Sequence, residues 1–450
     1  MSNLKKVLNT IFSKLPISEE MKHKAHVAWA EYKINKEEKQ DQNNEVQIQA
    51  NDTVLRKYVE NILKSYGKRM PDYCEWEQHE SVNSEYHLSA YYLTQFHPNP
   101  QNDEWWGKGT TEWNNVNQAV PQFLGHYQPR KPGELGYYDL RLKDNMKRQI
   151  ELAKNYGISE FCFYYYWFDG QRLLERPLDM FLKNPDLDIE FSYCWANENW
   201  TKRFSGTDAG ALMKITQSVE SYSKFVDSVL PDMKDTRYHR INGKPILSIY
   251  RPSSIPEVKT VIASWQSKAE KYLGTQLYLI AVLEGDNKKD WLMEGFDATT
   301  EFQPRSLEHY CPEINSKVNL IRKDFSGKIY DYEDLVLNKR YNANFDKKCY
   351  PAIMPMWDNT ARRNHRGTIF NGSTPFLYKK WLKEILDNLD RNQKLDEKRV
   401  FINAWNEWGE GAYLEPDYGF GYAYLQATYA AITEAEKEYE DKKNFIKNNL

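Results

Sequence analysis

Residues 142–168, LKDNMKRQIELAKNYGISEFCFYYYWF, place two secondary-structure signals back to back. Leu142, Met146, Ile150 and Ala153 recur at helical spacing, and Gly157 closes that segment. The run that follows, ISEFCFYYYWF (158–168), is apolar at almost every position. Continuously apolar strands are expected where both faces of a parallel sheet are covered. Working outward, the same succession of apolar run, polar and aromatic turn, and helix-period segment repeats eight times from His87. The other strand runs are HLSAYYL (87–93), IEFSYCW (189–195), PILSIY (245–250), LYLIAVL (277–283), FDATTEF (296–302), YPAIMPMW (350–357) and RVFINAW (399–405).

The intervening helices carry their own marks. Val219, Tyr222, Val226 and Val229 share one face, as do Val258, Val261, Ile262 and Trp265. Thr374-Pro375 reads as an N-cap with proline at the first helical position, ahead of Leu377, Trp381, Ile385 and Leu389. Leu425, Tyr429 and Ile432 open the last helix. The sixth unit is the least regular, since 303–349 holds much loop and one short helix near Tyr332–Leu337. Strand–helix alternation implies a parallel sheet, and eight units favour closure. The expected fold is therefore α/β, a (β/α)8 TIM barrel over 86–435 with an N-terminal helical extension.

That extension, residues 1–80, differs in composition. Ser18 to Gln42 is dominated by Lys, Glu, Asn and Gln and reads as a solvated helix or flexible arm. Asn51-Asp52 caps a further helix bearing Val54, Leu55, Tyr58, Ile62 and Leu63, stopped by Gly67 and Pro71. Residues 436–450 continue the last helix as a polar end. The N-terminus has no small-residue cleavage site and no run of 18 apolar residues occurs, so a cytoplasmic protein without a membrane span is expected. The 61 basic and 64 acidic side chains leave no electrostatic reason to expect nucleic acid. Five cysteines without a CxxC pair or zinc-like spacing read as reduced thiols, and no metal or cofactor is expected.

Barrel chemistry gathers at the C-terminal ends of the strands. There the first strand supplies Tyr92, Gln95 and His97, and the second Tyr166, Trp167 and Asp169. The third gives Trp195, Asn197, Glu198, Asn199 and Trp200; the fourth Tyr250 and Arg251; the fifth Glu284; the sixth Glu301. Trp357, Asp358 and Asn359 follow the seventh, and Trp405, Asn406, Glu407, Trp408 and Glu410 the eighth. Strand ends are polar anyway because they meet water, but that does not account for repeated Trp–Asn–Glu clusters. Aromatic residues are 14% of the chain, with 32 Tyr and 14 Trp, many beside hydrogen-bonding groups. Flat rings next to polar groups suit sugars, although a large aromatic core accounts for part of them.

The segment NAWNEWGEGAYLEPD (403–417) places Glu407 and Glu410 three residues apart on a turn leaving a strand, with Gly409 and Gly411 allowing the turn to be tight. Glycosidic cleavage needs two carboxyl groups, one acid for the leaving oxygen and one base or nucleophile at the sugar. The same spacing also fits a solvated acidic turn; its place after strand eight favours catalysis. The long first loop, QFHPNPQNDEWWGKGTTEWNNV (95–116), could wall a sugar subsite through Trp105, Trp106 and Trp113. His97 serves equally as a hydrogen-bond donor or as loop packing, and His126 in GHYQP (125–129) is a weaker candidate.

The segments FHPNPQNDEWWGKGTTEWNNV, GHYQP, YYYWFDGQRLLERP, WANENWTKRFSG and WNEWGEGAYLEPD resemble the WbsX-type family of bacterial surface-polysaccharide proteins over roughly 86–435. That family is in turn similar to glycoside hydrolase family 99, the endo-α-mannosidases, mainly at the NEWxEG stretch and in the barrel. The resemblance implies an oligosaccharide or polysaccharide substrate, with polysaccharide-biosynthesis partner proteins engaging residues 1–80. It further implies a retaining mechanism in which Glu407 takes the proton of the sugar 2-hydroxyl, a 1,2-anhydro sugar forms, and Glu410 protonates the leaving group. Gly409 departs from family 99, where a bulkier residue is usual. Two alternatives stand beside this reading: a sugar-nucleotide-dependent glycosyltransferase of O-antigen, lipopolysaccharide or capsule biosynthesis, and a non-catalytic carbohydrate-binding barrel. Against the transferase, the single DxD, Asp186-Leu187-Asp188, precedes strand three, and no Gly-rich phosphate loop follows a strand.

Overall fold

The computed structural model describes residues 52–65, 69–80, 82, 84–201, 211–284, 289–305, 307–341 and 347–449. Most of the expected N-terminal arm, residues 1–51, lies outside the described residues. The chain divides into two compact units, Met1–Gln49 with Asn199–Met213, and Ala50–Glu198 with Lys214–Leu450. Of the first, the described part is an antiparallel hairpin pairing Trp200–Thr201 with Ala211–Met213.

The second unit is built on eight parallel staves: β1 (Tyr86–Tyr92), β2 (Glu160–Phe168), β3 (Glu190–Trp195), β4 (Lys244–Ile249), β5 (Tyr278–Val282), β6 (Ala298–Thr300), β7 (Cys349–Tyr350 and Ala352–Ile353) and β8 (Lys398–Ile402). Each lies within one of the apolar runs read from the sequence or starts one residue before it. Successive staves pair in parallel from β1 to β7, and β8 pairs with β1, with Ser89 opposite Phe401. The ring closes through β7, which Pro351 divides in two. The Cys349–Tyr350 half pairs with β6, and the Ala352–Ile353 half pairs with β8. The Pro351 carbonyl still accepts from Phe401 N–H at 3.0 Å, so the proline removes a donor but not the ladder. Past Pro355 the chain leaves the barrel. Trp357–Asp358 pairs instead with Thr368–Asn371, which lies beside Lys328–Asp331.

Helices cover the barrel at Lys143–Asn155, Arg176–Lys183, Val219–Val229, Val258–Leu273, Tyr332–Leu337, Pro375–Leu389 and Ala423–Asn449. The fifth connection departs from the expected pattern. Between β5 and β6 the described residues hold one 3-10 turn, Leu292–Glu294, ended by Gly295 at φ +106°. In the N-terminal extension, Asp52–Ser65 is helical as expected. All five cysteines are free, and all but Cys74 are buried.

Side-chain alternation along the staves sorts the interior into layers. At the N-terminal end, Glu160 and Arg399 form a fully buried ion pair at 2.9 Å. Cys162, Cys194 and Ser248 make a small-residue layer above it. Tyr91, Tyr164, Tyr250 and Phe302 then form an aromatic floor below the mouth, with ring centroids 5.1–5.6 Å apart. The loops after β1, β6 and β7 share a second small core of Phe123, Ile314, Phe325, Ile329 and Ile369, which stiffens the rim.

Candidate active site

β8 ends at Ile402, and Asn406–Glu407 pairs with Ala412–Tyr413 around the one-turn segment Trp408–Glu410. Gly411 at φ +60° makes the reversal, in the left-handed region that glycine enters at little cost. The turn aims both glutamates at one guanidinium. Arg362, on the short helix Thr360–Arg363, donates from Nη2 to Glu407 Oε1 at 2.8 Å and holds Glu410 Oε1 at 3.0 Å from Nη1. Its Nε donates to Glu112 Oε1 at 2.8 Å. Glu112 opens the helix Glu112–Gln118 in the long first loop and is fully buried, its Oε2 without a hydrogen-bond partner among the described residues. Gln95 Nε2 adds a second donor to Glu407, at 3.0 and 3.3 Å to the two oxygens.

Gly409 has a steric role. A Cβ built there falls 1.8 Å from Glu112 Oε1 and 2.8 Å from Arg362 Nε, so the missing side chain is the space that Glu112 occupies.

Three carboxyl groups facing one arginine cannot all ionise freely. Burial pushes Glu407 well above the ordinary carboxylate range; Arg362 opposes the shift, and Glu410 and Glu112 add to it. Glu410 is raised by burial as well, with Arg362 opposing and Glu112 adding. Burial disfavours the Arg362 charge, but the three carboxylates outweigh that and hold it protonated. The pair Glu407/Glu410 therefore retains a proton toward neutral pH and titrates as a unit. Hydrogen bonding favours the negative charge on Glu407, which receives N–H donors from both Arg362 and Gln95, whereas Glu410 receives Arg362 alone among the described residues; the deeper burial of Glu407 opposes that preference. The Glu410 side chain is 27% exposed against 7% for Glu407, so Glu410 is the one open to the mouth. Tyr166 is half-buried and lies within electrostatic reach of Glu407, Arg362, Glu112 and Glu410.

The structure distributes the other sequence candidates unevenly. Tyr250 joins the aromatic floor, and Glu198 pairs with Arg251 and adds its charge near Glu410. Trp105 and Trp106 end the helix Pro100–Trp106, half-buried on the rim. Glu284 accepts from Ser253 N–H and hydroxyl at 3.0 and 2.8 Å, and Glu301 accepts from Gln303 and from Ala352 N–H. Asn199 and Trp200 belong to the separate hairpin unit.

Several candidates pack away from the pocket. Tyr92, Trp167 and Trp195 point outward toward the helices, because strand alternation gives the interior to Tyr91, Tyr164 and Tyr166 instead. Tyr92 hydroxyl donates to Gln149 at 2.6 Å, and Trp195 stacks on Phe225 at 3.7 Å. Asn406 is consumed by the Leu93 backbone, accepting at 2.8 Å and donating at 3.0 Å. Asn197 clamps the Arg251 backbone, and Asn359 accepts from Thr368 N–H at 2.7 Å. His126, Gln128 and Thr360 all bond the buried Asp358, tying the first loop to the seventh. His97 Nδ1 bonds the Thr94 carbonyl at 2.9 Å, and burial lowers its pKa to about 4, so it packs the loop as a neutral ring. Trp357 is buried, and Trp113 lies against Trp408 with its Nε1 donating to the Tyr138 carbonyl at 2.8 Å.

Trp408, between the two glutamates, stacks on Tyr413 at 3.8 Å and donates from Nε1 to Glu415 at 2.6 Å. Burial pushes Glu415 up to about 7 despite donors from Trp408, Gln149 and Tyr138. An acid whose pKa is raised on folding binds its proton more tightly when folded. It favours the fold most below the unfolded value of roughly 4.3, and that contribution is lost as pH rises through 7. Denaturant titrations should show about 3 kcal/mol of declining stability across that window, and Glu415→Gln should flatten the slope. An unchanged slope in the variant would assign it to other groups.

Sequence reading missed Glu112 and Arg362. Glu112 follows Thr111, an N-cap with a reciprocal capping box through Asn114, and so looks like an ordinary first-turn acid. Arg362 sits in ARRNHR, a stretch whose basic residues carry no spacing signal.

A family model described as "Glycosyltransferase WbsX" matches residues 88–428. Two curated relatives, both "Uncharacterized protein WxcX" from Xanthomonas campestris pv. campestris (strains B100 and ATCC 33913), are 40% identical over 348 residues, 77% of this chain. The chain spans about half the length of these relatives, the match covering 50% of each. Among solved structures, a "Glycoside hydrolase-like protein" matches with TM-score 0.50 and 16% identity over 80% of this chain and 97% of its own, a likeness of fold. The GH99 endo-alpha-mannosidase from Bacteroides thetaiotaomicron matches with TM-score 0.48 and 13% identity over 79% of this chain and 98% of its own.

Proposed function

The chain belongs to the WbsX family, and from that membership together with the paired carboxyl groups we propose a retaining glycoside hydrolase or transglycosylase acting on a bacterial cell-surface polysaccharide or its precursor. The observation that carries this reading is the bridging of Glu407 and Glu410 by one half-buried guanidinium at the barrel mouth. In this proposal the catalytic barrel spans 86–435 and the ionised Glu407 takes the proton of a sugar 2-hydroxyl. The freed oxygen attacks C1 as Glu410 gives its proton to the departing glycosidic oxygen, leaving a 1,2-anhydro sugar. Glu410, now a base, removes the proton of an incoming hydroxyl that opens the ring at C1, and Glu407 returns its proton to O2. Two inversions at C1 give net retention. The route requires O2 trans to the leaving group, as in α-mannosides.

Arg362 supports this division by stabilising charge on either carboxylate as the proton moves between steps. A cytoplasmic location and partner proteins engaging residues 1–80 belong to the same proposal; no helix among the described residues is long and apolar enough to cross a membrane. Incubation with defined α-mannosides and with the host's own polysaccharide, followed by NMR, should show the α-anomer released or transferred first. Initial release of the β-anomer would eliminate the route.

The family description favours a second reading, a sugar-nucleotide-dependent glycosyltransferase. Here Asp186 and Asp188 are each paired with a lysine of the Lys143–Asn155 helix, at 2.7 and 2.6 Å, before β3 and remote from the mouth. Nucleotide-sugar binding that tightens with Mg²⁺ or Mn²⁺ would favour the transferase. Transfer of the anhydro sugar to a sugar hydroxyl would fit the family description without a nucleotide donor.

A further inference from the structure

At the N-terminal ends of the staves, across the barrel from Glu407, a second group of donors converges. We propose that His87, Glu160 and His239, with Glu190 as fourth donor, form a binding site for one divalent transition-metal cation of the zinc class. A tetrahedral zinc with bonds of about 2.0–2.2 Å sets its ligands roughly 3.3 Å apart. Here His87 Nε2 lies 3.0 Å from Glu160 Oε2 and 3.8 Å from Glu190 Oε2. Glu190 Oε2 lies 2.9 Å from His239 Nδ1, and one donor atom from each of His87, Glu160 and His239 fits within a 4.8 Å group. His87 with Glu160, and Glu190 with His239, are thus already near coordination spacing.

The surroundings match what orients metal ligands. His239 Nε2, the nitrogen turned away from Glu190, is held by Glu397 Oε1 at 2.7 Å, a carboxylate–histidine pair. Glu160 is fixed on its other oxygen by the Ser89 hydroxyl at 2.9 Å. Arg399 donates at 2.9 Å to the same Oε2 that faces His87 and at 2.7 Å to Glu397, so an ion would share Oε2 with the guanidinium. Burial lowers the His239 pKa but Glu190 and Glu397 raise it to about 9, so a cation must displace that proton. Glu160, Glu190 and Glu397 against Arg399 then leave a local charge of −2 for the divalent ion to neutralise. Imidazole with carboxylate selects zinc-like ions over magnesium. The His87 and His239 side chains are 12% and 11% exposed, and Glu190 is 52% exposed, so an ion can enter from the barrel base. No short motif marks the site, because its donors come from four separate segments at 87, 160, 190 and 239.

The test is isothermal titration of EDTA-treated full-length protein with ZnCl₂, with elemental analysis of the protein as purified. One zinc per chain at micromolar or tighter Kd is expected, undisturbed by millimolar Mg²⁺. His239→Gln and the solvent-reachable Glu190→Gln should each weaken binding at least tenfold, with circular dichroism confirming the fold of both. Absence of zinc binding by the wild-type chain, or equal affinity in both folded variants, would overturn the proposal. Its outcome is independent of the chemistry at Glu407 and Glu410.

Discussion

Glu410→Gln is expected to lower turnover by about 10²–10⁴ while sugar binding stays measurable. Gln preserves the volume and can still face Arg362, so the pocket keeps its shape; what disappears is a transferable proton. The deficit should shrink in the first turnover of an aryl glycoside, whose leaving group departs without protonation. That contrast separates an acid from a structural residue: a variant equally impaired on both substrates, or not impaired at all, would remove Glu410 from the proposed role. Glu407→Gln should be at least as damaging on both substrates, since the attack by O2 needs its base whatever leaves.

Arg362→Met is the second large effect. It strands Glu112, fully buried and partnered by Arg362, and losing one member of a buried ion pair costs about 3–5 kcal/mol. The double variant Glu112→Gln/Arg362→Met should recover much of that stability, because no uncompensated charge is left inside, yet recover little of the rate. Arg362 pulls the pKa values of Glu407 and Glu410 down, so without it both rise and the pH at which the pair carries one charge moves upward. The optimum of kcat/KM in the folded double variant should shift alkaline, though by less than the loss of Arg362 alone would give, because Glu112→Gln also removes a charge that raises both groups. A profile unmoved by the substitution would show that Arg362 does not tune the pair.

How far the sequence could be read follows from which signals are local. All eight staves were legible because burial on both faces makes each an apolar run, and the Thr374 N-cap placed its helix at Pro375–Leu389. The carboxylate pair was legible because it lies within one turn. The inward or outward sense of Tyr91 against Tyr92, or Tyr166 against Trp167, was not. In a strand apolar on both faces, adjacent aromatics are chemically alike and only the closed ring decides which faces the pocket. Glu112 and Arg362 are 250 residues apart in the chain, and their pairing exists only once the first and seventh loops meet.

The void left by Gly409 binds two distant positions into one unit of inheritance. A methyl group there would collide with the Glu112 carboxylate, and a shorter residue at 112 would leave Arg362 Nε without its partner. A change at either site asks the side chains at the other to shift. A side chain introduced at 409 should therefore be better tolerated once the acid at 112 is removed, at the cost of the hydrogen bond that acid accepts from Arg362.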